Sequence, residues 1–127
     1  MSKTVAILGA GADRRKFGNK SVRAHVAAGW TVYPVHPLET VVEGLPAFKS
    51  VTDIPVEHFD RVTVYLPPPV MLKVLPTLRA KSIGELMLNP GADTPDVVEA
   101  AKTLGLNVVC ACSIVDVGFS PSQFGDA

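Results

Sequence analysis

The residues best suited to chemistry lie in one stretch near the N-terminus, Gly9-Ala10-Gly11-Ala12-Asp13-Arg14-Arg15-Lys16-Phe17-Gly18-Asn19-Lys20. It follows a short apolar run, Val5-Ala6-Ile7-Leu8, and leads into a helical pattern beginning near Gly18. A glycine-bearing turn between a strand and a helix aims backbone N–H groups and the positive end of a helix dipole at an anion. Arg14, Arg15 and Lys16 add three consecutive cations inside that turn. The chemistry expected of such a turn is binding of a phosphate-bearing ligand. A solvated surface turn is the plainer reading of the three cations alone, and their place after the first strand favours the anion site.

Familiar phosphate-loop templates do not fit. The dinucleotide fingerprint needs a third glycine where Arg14 stands, and an acid after the second strand, where the chain reads Tyr33-Pro34-Val35-His36-Pro37. A Walker loop needs four residues between its first glycine and Gly-Lys, but six separate Gly11 from Gly18 and Asn19 interrupts Gly-Lys. Neither NAD binding nor ATP hydrolysis is supported. Groups able to catalyse are few. His36 reads as a loop histidine without a paired carboxylate, Cys112 as a small buried side chain at a strand end, and His25 and His58 as surface residues.

The surrounding elements alternate between strand and helix. Apolar runs predict strands at Val5–Leu8, Trp30–Val35, Arg61–Leu66, Ile83–Leu88 and Asn107–Ala111. Helices are expected over Gly18–Ala28, with Val22 and Val26 inward, and over Pro69–Lys81, with Val70, Val74, Leu75 and Leu78 inward and a kink at Pro76. Thr94-Pro95-Asp96 opens a third, with Thr94 as capping hydroxyl, presenting Val97, Ala101 and Leu104 before Gly105 ends it. Residues 41–50 read as a loop with at most a short strand near Ala47-Phe48, Thr52–Pro55 as a turn, and the tail from Gly118 as frayed. This predicts an α/β protein, a Rossmann-like, doubly wound parallel sheet of about five strands in three layers, with residues 1–127 forming a single domain.

Ligands of such folds bind beyond the carboxyl ends of the strands. The sequences there are Gly9-Ala10-Gly11-Ala12, Pro34-Val35-His36-Pro37, Leu66-Pro67-Pro68-Pro69 and Asn89-Pro90-Gly91-Ala92. Together they describe an elongated cleft, charged at the first loop and walled by proline further along. The triple proline is equally readable as a strand stop.

Composition is consistent with this. The 127 residues carry 12 basic and 12 acidic side chains, so there is no global attraction to nucleic acid or membrane. The N-terminus has no secretory pattern and no apolar run reaches membrane-spanning length, which predicts a cytoplasmic protein. Cys110 and Cys112 are too close in sequence to bridge without strain, and neither a disulfide framework nor a metal site is expected.

From Val5 to about Val117 the chain resembles the standalone CoA-binding domain proteins, relatives of the N-terminal nucleotide-binding domain of the succinyl-CoA synthetase alpha subunit. The resemblance is carried by Val5–Ala10 followed by Asn19, by Gly29–Pro37, by the strand Val62–Leu66 ending in Pro67-Pro68, and by Ala100–Cys112. It departs at His36-Pro37, where the family commonly has Asn-Pro, at Leu38 and Glu39, where a basic residue often follows, and at Ala111, where arginine is frequent. The resemblance implies binding of coenzyme A or an acyl-CoA, and the scarcity of catalytic groups, only His36, Cys112 and scattered acids, points to binding without catalysis. The expected contacts are the loop residues Gly9, Ala10, Gly11, Ala12, Arg14, Arg15, Lys16, Phe17, Gly18 and Asn19, with Val35, His36, Pro37, Leu66, Pro67, Pro68, Pro90, Gly91 and Cys112 further along. Two rivals stand beside it: a small acyl-CoA-handling or thiol-redox enzyme using Cys112 or His36, and a regulatory or partner subunit of a CoA-dependent enzyme. Self-association through a sheet edge or helix is compatible with the sequence, although no motif demands it.

Overall fold

The computed structural model describes residues 2–127. Five parallel strands, β1 (Thr4–Leu8), β2 (Thr31–Val35), β5 (His58–Val64), β6 (Ser82–Leu88) and β7 (Val108–Cys110), form one sheet in the order β2-β1-β5-β6-β7. Between β2 and β5 a hairpin pairs β3 (Val41–Val42) with β4 (Leu45–Pro46). Helices α1 (Phe17–Ala27), α2 (Pro68–Val74), α3 (Pro95–Thr103) and α4 (Ser113–Asp116) complete the element order. The chain leaves β1 toward one edge and returns across it to the other, so the strand order reverses between β1 and β5. That reversal opens a crevice at their carboxyl ends.

The pleat of β1 sorts the layers. Val5 and Ile7 face Val22 of α1, while Ala6 and Leu8 face Met71, Leu75 and Val97. Helices α1 and α4 pack together on the first face, α2 and α3 on the second. Pro34 lies in β2, an edge strand, where a missing N–H removes no central ladder bond.

Several elements differ from expectation. The inward stripe of α1 is Gly18, Ser21, Val22 and His25, and Val26 is half exposed. The predicted helix over 69–81 changes character at Leu75: α2 gives way to a 3-10 segment, Leu75–Ala80, because Pro76 has no N–H for the α-helical bond. Leu75 and Leu78 are buried, but Val70 is exposed. Thr94 does not cap α3 with its side chain; its hydroxyl donates to Asp96, whose carboxylate accepts the Val97 N–H. Near Ala47-Phe48 there is only a single parallel bridge, Val35 to Phe48, and the short strands lie earlier, around a two-residue turn of Glu43 and Gly44. Both turn residues have positive φ, 50° and 75°, as a tight hairpin of this hand requires.

The tail is not frayed. A 3-10 turn, Pro121–Gln123, is closed by a capping box from Ser120. Phe124 packs edge-on against Phe119 and under the guanidinium of Arg23, and Lys20 pairs with Asp126.

Candidate functional site

The crevice between β1 and β5 is bordered by the turns at the carboxyl ends of the strands. After β1, Gly9 turns at φ 87°, and its N–H and that of Ala10 both donate to the carbonyl of Val35. A Cβ at Gly9 would lie 2.8 Å from the Tyr65 carbonyl oxygen, and one at Gly18 would lie 2.4 Å from the carbonyl oxygen of Gly9. Gly18 therefore lets the start of α1 press directly against the turn after β1, and Gly9 lets that turn lie against the end of β5. Lys20 donates the first bond back to Lys16, leaving the N–H groups of Phe17 and Gly18 without an intrahelical acceptor. No side chain caps this end and no acid stands in the first turn.

These groups face a cleft of about 500 Å³, bordered by Gly9, Arg15, Lys16, Phe17 and Gly18 on one side and by Tyr65, Leu66, Pro67, Pro90, Gly91 and Ala92 on the other. It has a cationic end at Arg15 and Lys16 and proline walls at Pro67 and Pro90. The three consecutive cations, however, go three ways. Arg14 donates to Glu43 and to the carbonyl of Ala127 and does not line the cleft. Arg15 lines it but is gripped by both oxygens of Asp13 at 3.0 Å. That guanidinium, bonded to its carboxylate, holds Asp13 down at about 2. Lys16 lines the cleft and forms no ion pair among the described residues.

Asn19 is fully buried beneath the turn. Its Nδ2 donates to the Gly11 carbonyl and to Glu43, and its Oδ1 accepts from Arg23 Nε. Its polar groups are committed to holding the turn. Ala10 is buried and Ala12 exposed, and neither borders the cleft. Pro68 opens α2 as its first residue and likewise stands away from it.

Beyond Gly9 and Leu66 a second cavity of about 260 Å³ lies between the ends of β1 and β2 and helix α2. Val35, His36 and Pro37 border it, as do Lys49 and Lys73, two cations that sequence reasoning missed. Neither lysine forms an ion pair or hydrogen bond among the described residues. Val70, Lys73 and Val74 of α2 line it at i, i+3 and i+4, so helical spacing carried the signal for Lys73, and Thr77 joins them from the 3-10 segment. Each of Leu38 and Glu39 donates its N–H to His36 Nδ1 at 3.1 Å, which holds the ring in place over the turn. The ring itself lies over Gly11, where an added Cβ would meet it at 3.1 Å.

On the other flank a third cavity of about 180 Å³ includes Cys112. Cys112 is half-buried at the start of α4 and Cys110 is exposed; both are free thiols.

His25 is the clearest correction. Expected at the surface, it is fully buried, with Nδ1 donating to the Ser21 carbonyl at 2.8 Å and Nε2 accepting from Arg61 at 3.3 Å. Burial, with Arg61 beside it, pushes its pKa down to about 4. Arg61 in turn bonds Glu85 and Asp116 and lies over the Trp30 ring. His58 is at the surface as expected.

Among the described residues no three potential ligands converge to hold a metal ion, and no helix is long and apolar enough to cross a membrane. The comparisons with known proteins agree with the architecture. A family model described as a CoA binding domain matches residues 3–117. A protein from Thermus thermophilus superposes with a TM-score of 0.82 at 30% identity, covering 91% of this chain and 87% of that one. A conserved hypothetical protein from Pyrococcus furiosus gives 0.80 at 25% identity over 91% of this chain and 99% of its own. An acetyl-coenzyme A synthetase 1 from Ca. Korarchaeum cryptofilum shares the fold, with TM-score 0.68 and 22% identity, over 86% of this chain and 25% of its own. The search of curated proteins finds no match.

Proposed function

The chain belongs to the CoA-binding domain family, and from that premise we propose that it binds coenzyme A or an acyl-CoA in the crevice at the carboxyl ends of its strands, without transforming it. The observation that carries this reading is the uncapped start of α1 over the switch-point cleft, flanked by Arg15 and Lys16. In this reading the pyrophosphate takes the open N–H groups of Phe17 and Gly18, with Lys16 and Arg15 as counter-charges. The adenosine end extends past Gly9 into the second cavity, where Lys49 and Lys73 meet the ribose phosphate and Val35 and Val70 line the wall. The pantetheine arm runs the other way, along Leu66-Pro67 and Pro90.

A binding role without turnover is supported by how the two candidate catalysts are engaged. His36 has Nδ1 occupied by two backbone N–H groups, and no carboxylate is hydrogen-bonded to it or to Cys112 among the described residues. Residence in the cytoplasm belongs to the same proposal.

Calorimetric titration with CoA, dephospho-CoA, NAD and ATP tests it. CoA should bind best, and replacing Lys49 and Lys73 by glutamine should bring CoA down to the affinity of dephospho-CoA. NAD binding more tightly than every CoA species would overturn the reading.

A further inference from the structure

The third cavity has no place in the phosphate and pantetheine contacts above. Phe17, Tyr65 and Pro90 border both it and the main cleft, so the two adjoin; Ile114 and Pro121 border only the smaller one. The side-chain oxygen and nitrogen atoms of its wall are already bonded within the protein, and the Cys112 thiol is the one further polar side chain that borders it. Tyr65 Oη shares a hydrogen bond with Ser113 Oγ at 2.7 Å. Asn89 donates to Thr63 and to the Val64 carbonyl and accepts the Ser113 N–H. No Asp, Glu, Lys or Arg borders it. At its mouth Phe17, 59% exposed, offers an apolar ring that the fold leaves uncovered. The ordered tail closes its far side through Pro121, which the Ser120 capping box holds in place.

We propose that this cavity takes the acyl group of a thioester, specifically a short, uncharged chain. The proposal rests on the CoA reading: with the ribose phosphate at Lys49 and Lys73, the thioester end emerges on the Phe17 side. A space of about 180 Å³ holds about six water volumes, which suits a chain of a few carbons and not a long fatty acyl group. A terminal carboxylate, as in a succinyl or malonyl group, would enter a mostly apolar space with no cation and only the weak S–H donor of Cys112 to receive it. Each methylene buried there should tighten binding about fourfold.

The test is calorimetric comparison of CoA with acetyl-, butyryl-, succinyl- and palmitoyl-CoA. Butyryl-CoA, with two more methylenes, should bind roughly fifteenfold more tightly than acetyl-CoA, and succinyl-CoA no more tightly than CoA itself. Ile114→Phe, which fills the cavity, should abolish the butyryl-to-CoA ratio. Pro121→Ala, which enlarges it without touching the core, should move the optimum to a longer chain, hexanoyl-CoA. Equal affinities for CoA, butyryl-CoA and succinyl-CoA would overturn the acyl pocket and leave CoA binding standing. So would a folded Ile114→Phe that keeps the wild-type ratio. Failure of every CoA species to bind would instead overturn the reading beneath it.

Discussion

The two ends of α1 use polar side chains in opposite ways. At the N-terminal end the N–H groups of Phe17 and Gly18 are left open and Lys16 has no ion-pair partner among the described residues. At the C-terminal end His25 is bonded through both ring nitrogens, and Arg61, 5% exposed, is held by Glu85 and Asp116. A charge whose bonds are all made inside the protein maintains the fold; one whose donors stop at a cleft wall is available to a ligand. The comparison makes stability and binding separable, and each end can be broken without the other.

The largest effect is expected at the closed end. Glu85→Gln with Asp116→Asn leaves the Arg61 guanidinium buried without a counter-charge, which should cost about 3–5 kcal/mol of stability. Urea denaturation reads the loss, and CoA affinity of the folded fraction should not change. Adding Arg61→Met to the pair should recover most of the stability, because an apolar replacement of a buried ion pair is often neutral. A loss of CoA affinity matching the loss of stability would show that the two ends are coupled.

Acid should act at the same end. In the folded chain His25 stays neutral down to about 4, whereas its ordinary value is 6.5. Between these values the unfolded chain binds more protons, so stability is full above pH 6.5 and falls as pH drops toward 4. The fall amounts to about 3 kcal/mol. The carboxylates Asp13, Asp60, Asp96 and Asp126 are all held below 3.8, so what they contribute is intact across this range and is lost only at lower pH. Urea midpoints between pH 7.5 and 4.5 should therefore slope downward in the wild type and flatten in His25→Gln. A slope that survives that substitution would move its origin elsewhere.

The contrast between the ends also shows what the sequence made legible. The parallel sheet was readable because strands buried on both faces are continuous apolar runs, as in Val5–Leu8 and Leu86–Leu88. The buried face of α1 was not, since of its six buried residues, Gly18, Asn19, Ser21, Val22, Ala24 and His25, all but Val22 are small or polar. Hydrophobicity therefore pointed to Val26, one position past His25. His25 itself could not be placed, because Arg61, which buries and binds it, is 36 residues away on another element. At the open end the turn, the glycines and the proline walls were visible. The destination of Arg14 was not: it depends on Glu43, whose place is set by a hairpin turn at positive φ that no glycine marked at that residue.

At the open end, then, the three neighbouring cations should not be equivalent. Lys16→Gln should weaken CoA binding roughly tenfold, the scale of one charge-assisted bond to phosphate. Arg14→Gln should change affinity little, since its guanidinium already meets Glu43 and the Ala127 carbonyl. Equal losses at both positions, measured by calorimetry, would contradict the assignment of Arg14 to the scaffold.

Arg15 is intermediate, and its case concerns Asp13. The carboxylate takes both the Nε and an Nη of Arg15 and also accepts its backbone N–H, all at 3.0 Å. Held at about 2, Asp13 stays ionised at any working pH, so acid does not release Arg15. The pair brings almost no net charge to the cleft, and the Asp13 carboxylate itself repels an incoming phosphate. Asp13→Asn keeps an oxygen for the Arg15 N–H, and so preserves the turn, while removing that negative charge. CoA binding should tighten by roughly two- to fivefold, the scale of an exposed ion pair. The gain should fade as salt rises, because the site is open to solvent and screened. If the variant binds more weakly at every ionic strength, then Asp13 acts chiefly by orienting Arg15, and the guanidinium reaches the phosphate only in the geometry its carboxylate imposes.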